Sequence, residues 1–176
     1  MSLLLRNTKA VTLAHPVIEE CDIRVDEGTI VDRARRLKPR RDDEVVDLKN
    51  RIVMPGFVCS HTHLYSTLSR GMPAPRSAPK NFVEILQKVW WKLDEALDEE
   101  SIYYSALVGA IESVKFGTTT LIDHHASPNS IRGSLDLIKH ALRQVGVRGV
   151  LCYETTDRGG KKRRNLGLEE NERFVT

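Results

Sequence analysis

"VMPGFVCSHTHLYSTLSRGM", residues Val53–Met72, is a Pro-Gly turn, a short apolar run and two histidines separated by one threonine. The run reads as a strand entered through Pro55-Gly56. Successive strand side chains alternate faces, so simple alternation puts Phe57, Cys59, His61 and His63 on one side and Thr62 on the other. That side passes from apolar to polar towards the C-terminal end, where parallel α/β folds hold their ligands. Two imidazoles on one face can grip a single metal ion. A catalytic zinc site takes three protein ligands plus water, so the pair is an incomplete set. As a bare motif HxH is weak, because two histidines also fall two apart by chance; its setting decides what it means.

Upstream lie short alternating segments rich in Val and Ile, "LLLRNTKAVTL", "CDIRVDEGTIV" and "EVVDLKNRIVM". They read as antiparallel strands, with Glu27-Gly28 as a hairpin turn. Downstream the pattern changes to strands alternating with helices. Phe82, Leu86, Val89, Leu93 and Leu97 recur at helical spacing. A second helix is capped by Asp98, carries Leu107, Ala110, Ile111 and Val114 as its apolar stripe, and ends at Gly117. "TTTLID" is a strand, Leu135 to Val145 a helix stopped by Gly146, and "VRGVLCY" a third strand. This alternation implies a parallel sheet, since each strand is carried back by a crossover helix. "LGLEENERFVT" opens one more helix, so the sequence is expected to stop in mid-pattern, well short of the ~250 residues of a closed eight-stranded barrel.

In this setting, "VMPGFVCSHTHLYSTLSRGM" and "ALVGAIESVKFGTTTLIDHH" resemble the first barrel strand and the following helix and strand of the amidohydrolase superfamily. The resemblance is to SsnA-type aminohydrolases in the deaminase and chlorohydrolase branch. It implies an α/β chain: residues 1–53 as the N-terminal part of a composite β-sandwich, and residues 54–176 as the first β/α units of a TIM-like (β/α)8 barrel, cut short after the third strand. It also implies one divalent metal, zinc first and iron as the alternative, bound by His61 and His63. The family's further ligands and proton-shuttling groups come from later strands, so no catalytic acid or base is identifiable here and the fragment is expected to be inactive alone. The implied activity is hydrolysis of a C–N bond, other than a peptide bond, in a cyclic amidine or heterocyclic small molecule. Two rival readings are a cyclic amide hydrolase of the dihydropyrimidinase kind and a non-catalytic metal-binding or interaction module. The module would melt cooperatively, whereas an open barrel piece would aggregate through its exposed edges.

Further residues fall near the expected mouth. Tyr65 and Arg70 follow the histidines in a loop that could meet substrate, though for Arg70 a loop-anchoring role beside Gly71 is the plainer reading. His124 and His125 end a strand, so only one can face inward; Asp123 shares the side of His125, and a structural polar cluster is an equal alternative. Trp90 and Trp91 are expected to pack in the core at least in part. His15 and His140 read as surface residues. Glu154 and Asp157 fall where barrel loops carry function, but "RGGKKRRN" suggests a mobile loop.

Composition narrows the class. The 27 basic and 24 acidic residues give a net charge of +3 and are mixed along the chain, which argues against a nucleic-acid surface. Two basic clusters, Arg35 to Arg41 and Lys161 to Arg164, read as solvated loops. No apolar run reaches the ~20 residues of a membrane span. The three cysteines, Cys21, Cys59 and Cys152, form no CxxC pair and point to reduced thiols in the cytoplasm. The expected partner is a small-molecule substrate, with no nucleic acid, no membrane, and a homo-oligomer of the full-length protein allowed.

Overall fold

The computed structural model describes residues 2–13 and 17–176, which leaves His15 outside the described residues. The chain forms two compact units, Met1–Pro55 and Gly56–Thr176.

The first unit is one five-stranded sheet: β1 (Ser2–Thr12), β2 (Val17–Asp26), β3 (Thr29–Ala34), β4 (Asp43–Asp47) and β5 (Ile52–Val53). β2 pairs antiparallel with both β1 and β3. Glu27 and Gly28, at φ 46° and 75°, make the β2–β3 turn, with the two positive φ angles a tight hairpin needs. The other pairings differ from an all-antiparallel reading. The connection from β3 carries the chain to the free edge of β1, where β4 and β5 lie parallel to it. The chain steps from one to the other at Lys49 and Asn50, both left-handed.

A buried ion pair holds this sheet. The Arg24 guanidinium donates to Asp43 at 3.1 Å and to Asp32 at 3.1 Å, with both the Arg24 and Asp43 side chains almost fully buried. Arg24 holds the Asp43 carboxyl well below the usual carboxylate range. Its contribution is therefore complete above the unfolded value near 3.8 and is lost as pH falls below that. Acid unfolding monitored on Arg24→Met should accordingly show a flatter pH dependence below about pH 4 than the wild type.

The second unit has three parallel strands in the order β6 (Phe57–Thr62), β7 (Thr118–His125) and β8 (Arg148–Tyr153). Against them pack α3 (Glu99–Lys115), α4 (Ser134–Val145) and α5 (Gly160–Val175). Asp98 caps α3 by accepting from the Ser101 N–H, and the Ser101 hydroxyl reciprocates to the Asp98 N–H. Gly117 and Gly146 follow α3 and α4 with left-handed φ of 80° and 81°, a backbone that costs glycine little. Gly56 is required by proximity: a Cβ there would stand 2.3 Å from the Thr119 side chain.

Several local expectations are corrected. The buried stripe of α3 is Ile102, Ala106, Gly109 and Ala110, while Ile111 and Val114 are exposed. Small residues win here because α3 approaches the turn after His63 so closely that a Cβ on Gly109 would stand 2.7 Å from Leu64 and Thr67. The basic stretch Lys161 to Arg164 is the first part of α5 and no loop. Its two arginines form ion pairs, Arg163 with Glu95 and Arg164 with Asp157. The helical stripe from Phe82 is not one α-helix either. It runs as α1 (Phe82–Ile85), a π-helical turn over Leu86–Trp90, and α2 (Trp91–Ala96).

Candidate metal centre and cleft

His61 and His63 converge, with their Nε2 atoms 3.1 Å apart. They do so because β6 is irregular. Cys59 lies beside Leu121 and Thr62 beside Asp123, so three residues on β6 span two on β7. This bulge flips the alternation and re-aims the strand's end. Cys59 packs against the helix-side core with Leu121, whereas His61 and His63 face an open cleft of about 450 Å³. Cys59 therefore does not share the face of His61, as strict alternation requires.

The backbone just past His63 is fixed by buried side chains. The Leu64 N–H donates to Asp123 Oδ1 at 2.7 Å, and the Leu64 carbonyl accepts from the Ser105 hydroxyl at 2.6 Å. Asp123 is 1 % exposed. Its second oxygen has no protein partner among the described residues, and burial pushes its carboxyl up to about 6.

The donor set suits a metal. His63 Nδ1 lies 2.9 Å from the His124 carbonyl. A carbonyl can only accept, so Nδ1 carries the proton and Nε2 presents a lone pair towards His61. Fixing one ring nitrogen on a backbone acceptor is the usual way a metal-binding imidazole is oriented. Two nitrogens about 2.0–2.1 Å from a tetrahedral zinc ion stand about 3.3 Å apart, close to the 3.1 Å seen here. Among the described residues no third His, Cys, Asp or Glu joins them to make a metal-holding cluster.

The other candidate residues divide. Tyr65 and His124 line the same cleft; the Tyr65 ring lies 5.8 Å from that of His63, and burial pushes its hydroxyl up to about 12. His125 points the other way and is fully buried. Its Nε2 donates to the Ser127 hydroxyl at 2.9 Å, and burial pushes its pKa down to about 3, so it is neutral and removed from the cleft. Arg70 is exposed after the short 3-10 helix Leu64–Ser69. It lines an adjoining open groove that His61 and His63 also line. Glu154 reaches the cleft, while Asp157 pairs with Arg164. His140 is exposed and stacked on Tyr103.

Two cleft residues, Asp94 and Arg158, escape a reading of the chain alone. Asp94 is 2 % exposed and takes a bidentate grip from Arg158, at 3.2 and 2.7 Å. The Arg158 guanidinium also lies 5.0 Å from the centre of the Trp91 ring. Trp90 and Trp91 both line the cleft instead of the core. At 3.6 residues per turn neighbours differ by about 100°, so a regular α-helix would separate them. Here the Trp91 N–H donates to the carbonyl of Leu86, five residues back, and the widened turn brings Leu86, Trp90 and Trp91 to one side.

Comparison with known proteins agrees with this architecture. The family model described as "Amidohydrolase family" matches residues 52–176. The chain is 29 % identical over 170 residues to a 5-methylthioadenosine/S-adenosylhomocysteine deaminase of Thermococcus sibiricus, covering 97 % of this chain and 37 % of the relative. It is 32 % identical over 170 residues to a 5'-deoxyadenosine deaminase of Methanobrevibacter smithii, covering 97 % and 32 %. In fold it is similar to the zinc complex of atrazine chlorohydrolase from Arthrobacter aurescens, with a TM-score of 0.71, 23 % identity, and coverage of 92 % and 37 %. The chain thus spans about a third of the length of the relatives it matches. No helix among the described residues is long and apolar enough to cross a membrane. A strand opened by Pro-Gly, bulged so that HxH turns inward, and followed by two further parallel β/α units is the start of an amidohydrolase barrel, and the chain belongs to the amidohydrolase family.

Proposed function

We propose that His61 and His63 supply two ligands of a single divalent metal, zinc first and iron as the alternative, in a hydrolase of C–N bonds other than peptide bonds. The substrate is a cyclic amidine or nitrogen heterocycle that loses an amino group. The observation that carries this is the 3.1 Å convergence of the two Nε2 atoms with His63 anchored on the His124 carbonyl. The relatives named as deaminases of adenosine derivatives support the amino-group chemistry. His61 and His63 would hold the ion, whose chemistry there would be to lower the pKa of water towards neutrality.

The chain's own residues do the positioning. The bulge in β6 aims His61, the His124 carbonyl holds the His63 tautomer, and Asp123 and Ser105 clamp the backbone at Leu64. Tyr65, protonated at neutral pH, offers a donor at the cleft wall. Turnover needs further ligands and a group to protonate the departing amine. We assign residues 1–53 to the N-terminal part of a composite β-sandwich and residues 54–176 to the first units of the barrel. The reading is tested by zinc uptake in equilibrium dialysis. His61→Ala and His63→Ala should each lose at least about tenfold in zinc affinity; equal uptake by wild type and both variants would overturn it.

A further inference from the structure

We propose that the outward face of α3 is a two-fold interface that takes a second copy of this chain, helix against antiparallel helix. The inference stands apart from the metal centre and from the reaction.

A surface helix turns one apolar stripe inward and polar residues outward. α4 does so: its exposed residues are Asp136, His140, Arg143 and Gln144. α3 is apolar on both sides. Its inner face is Ile102, Ala106, Gly109 and Ala110, yet Tyr104, Val108 and Ile111 are 48 %, 36 % and 42 % exposed. At about 100° per residue these three and the half-buried Leu107 form one arc on the side opposite Ile102. Contiguous exposed apolar surface rimmed by charge marks an interaction site. Tyr104 also stands edge-on to Tyr103, ring centres 5.2 Å apart, an oriented aromatic of the kind that anchors interfaces.

The charges at the ends of the arc select the occupant. Glu100 lies one turn before Tyr104 and Lys115 one turn after Ile111, both exposed. A two-fold axis between Leu107 and Val108 sets Leu107 beside the partner's Val108, Tyr104 beside the partner's Ile111, and Glu100 beside the partner's Lys115. At 1.5 Å per residue the members of the last two pairs stand equally far from the axis, about 5 Å and about 11 Å. Each contact then occurs twice, as a closed symmetric dimer requires, and both ion pairs join opposite charges. Parallel helices in register would instead set Glu100 on Glu100 and Lys115 on Lys115. Lys115 reaches Glu112 of its own helix at 3.1 Å, but its side chain is 65 % exposed; such a pair contributes little and leaves the ammonium able to reach the partner.

Sedimentation equilibrium of the intact chain, in EDTA to remove metal-bridged association, tests the interface. A monomer–dimer equilibrium is expected. Ile111→Glu should weaken it by at least about a hundredfold, because two carboxylates enter the apolar centre. Glu100→Lys and Lys115→Glu should each weaken it by about tenfold, since each turns two attractive contacts into two repulsive ones. An equimolar mixture of these two variants pairs opposite charges at both ends and should associate as tightly as the wild type. Circular dichroism checks that each variant is folded; if Ile111→Glu is not, the two exposed charge variants and their mixture decide. A monomeric wild type, association unaltered by the charge variants, or a mixture no tighter than its components would each overturn the interface.

Discussion

Arg158→Met is expected to destabilise the Gly56–Thr176 unit by about 3–5 kcal/mol, the usual cost of removing one partner of a buried pair. Asp94 is 2 % exposed and Arg158 holds both of its carboxylate oxygens, so the variant leaves a nearly buried charge without its partner. Burial already raises the Asp94 carboxyl above its ordinary value. The cost should therefore shrink as pH falls, when the orphaned group takes up a proton. Asp94→Leu combined with Arg158→Met should recover much of the loss, because replacing both partners removes the desolvation penalty along with the attraction. Urea unfolding of the wild type, the single variant and the double variant at pH 5 and pH 8 measures this; equal stability of Arg158→Met and wild type at pH 8 would show that the pair contributes nothing.

The second large effect is at Asp123, measured on the metal-free protein. Burial raises its carboxyl from 3.8 to about 6, so the folded chain binds the proton more tightly than the unfolded chain does. The Asp123 contribution to stability is then greatest below about pH 4 and falls as pH rises through about 6, by roughly 3 kcal/mol for a shift of this size. Asp123→Asn keeps an oxygen to accept from the Leu64 N–H and abolishes the titration. Its unfolding free energy should decline less across that window than that of the wild type. Asp123→Ala instead strands the Leu64 N–H, at a cost of about 1–3 kcal/mol at any pH. A wild-type profile that rises between pH 4 and pH 6 would contradict the assignment.

How much of this was legible in the chain depends on the range of the interaction. Gly117, Gly146 and Asp98 declare themselves locally, since each satisfies a backbone requirement within three or four residues. The β/α alternation followed from periodicity, and the resemblance singled out His61 and His63. The face of Cys59 did not, because a bulge exists only in the register between β6 and β7. Simple alternation carried unchanged from Cys59 would send His61 to the helix side with Asp123. The π turn is hidden for a related reason: Phe82, Leu86 and Val89 match an α-helical stripe, and one five-residue hydrogen bond moves Trp91 into the cleft. Asp94 and Arg158 stand 64 residues apart with no motif joining them, so only the folded chain shows the clamp. The two smaller corrections, the mixed pairing of β1 and the early start of α5, likewise turn on contacts distant in sequence.

Joint binding of one metal ion by His61 and His63 is the proposal on which the hydrolase reading rests. It is tested most directly by long-range proton–nitrogen NMR of the imidazoles during a zinc titration of the intact chain, which has 6 histidines. The Nε2 resonances of His61 and His63 should shift together and saturate at one equivalent of zinc. The His63 Nδ1 proton should stay on its hydrogen bond to the His124 carbonyl, and the buried His125 should be unmoved. Zinc-induced shifts confined to other histidines, or to only one of the pair, would contradict it.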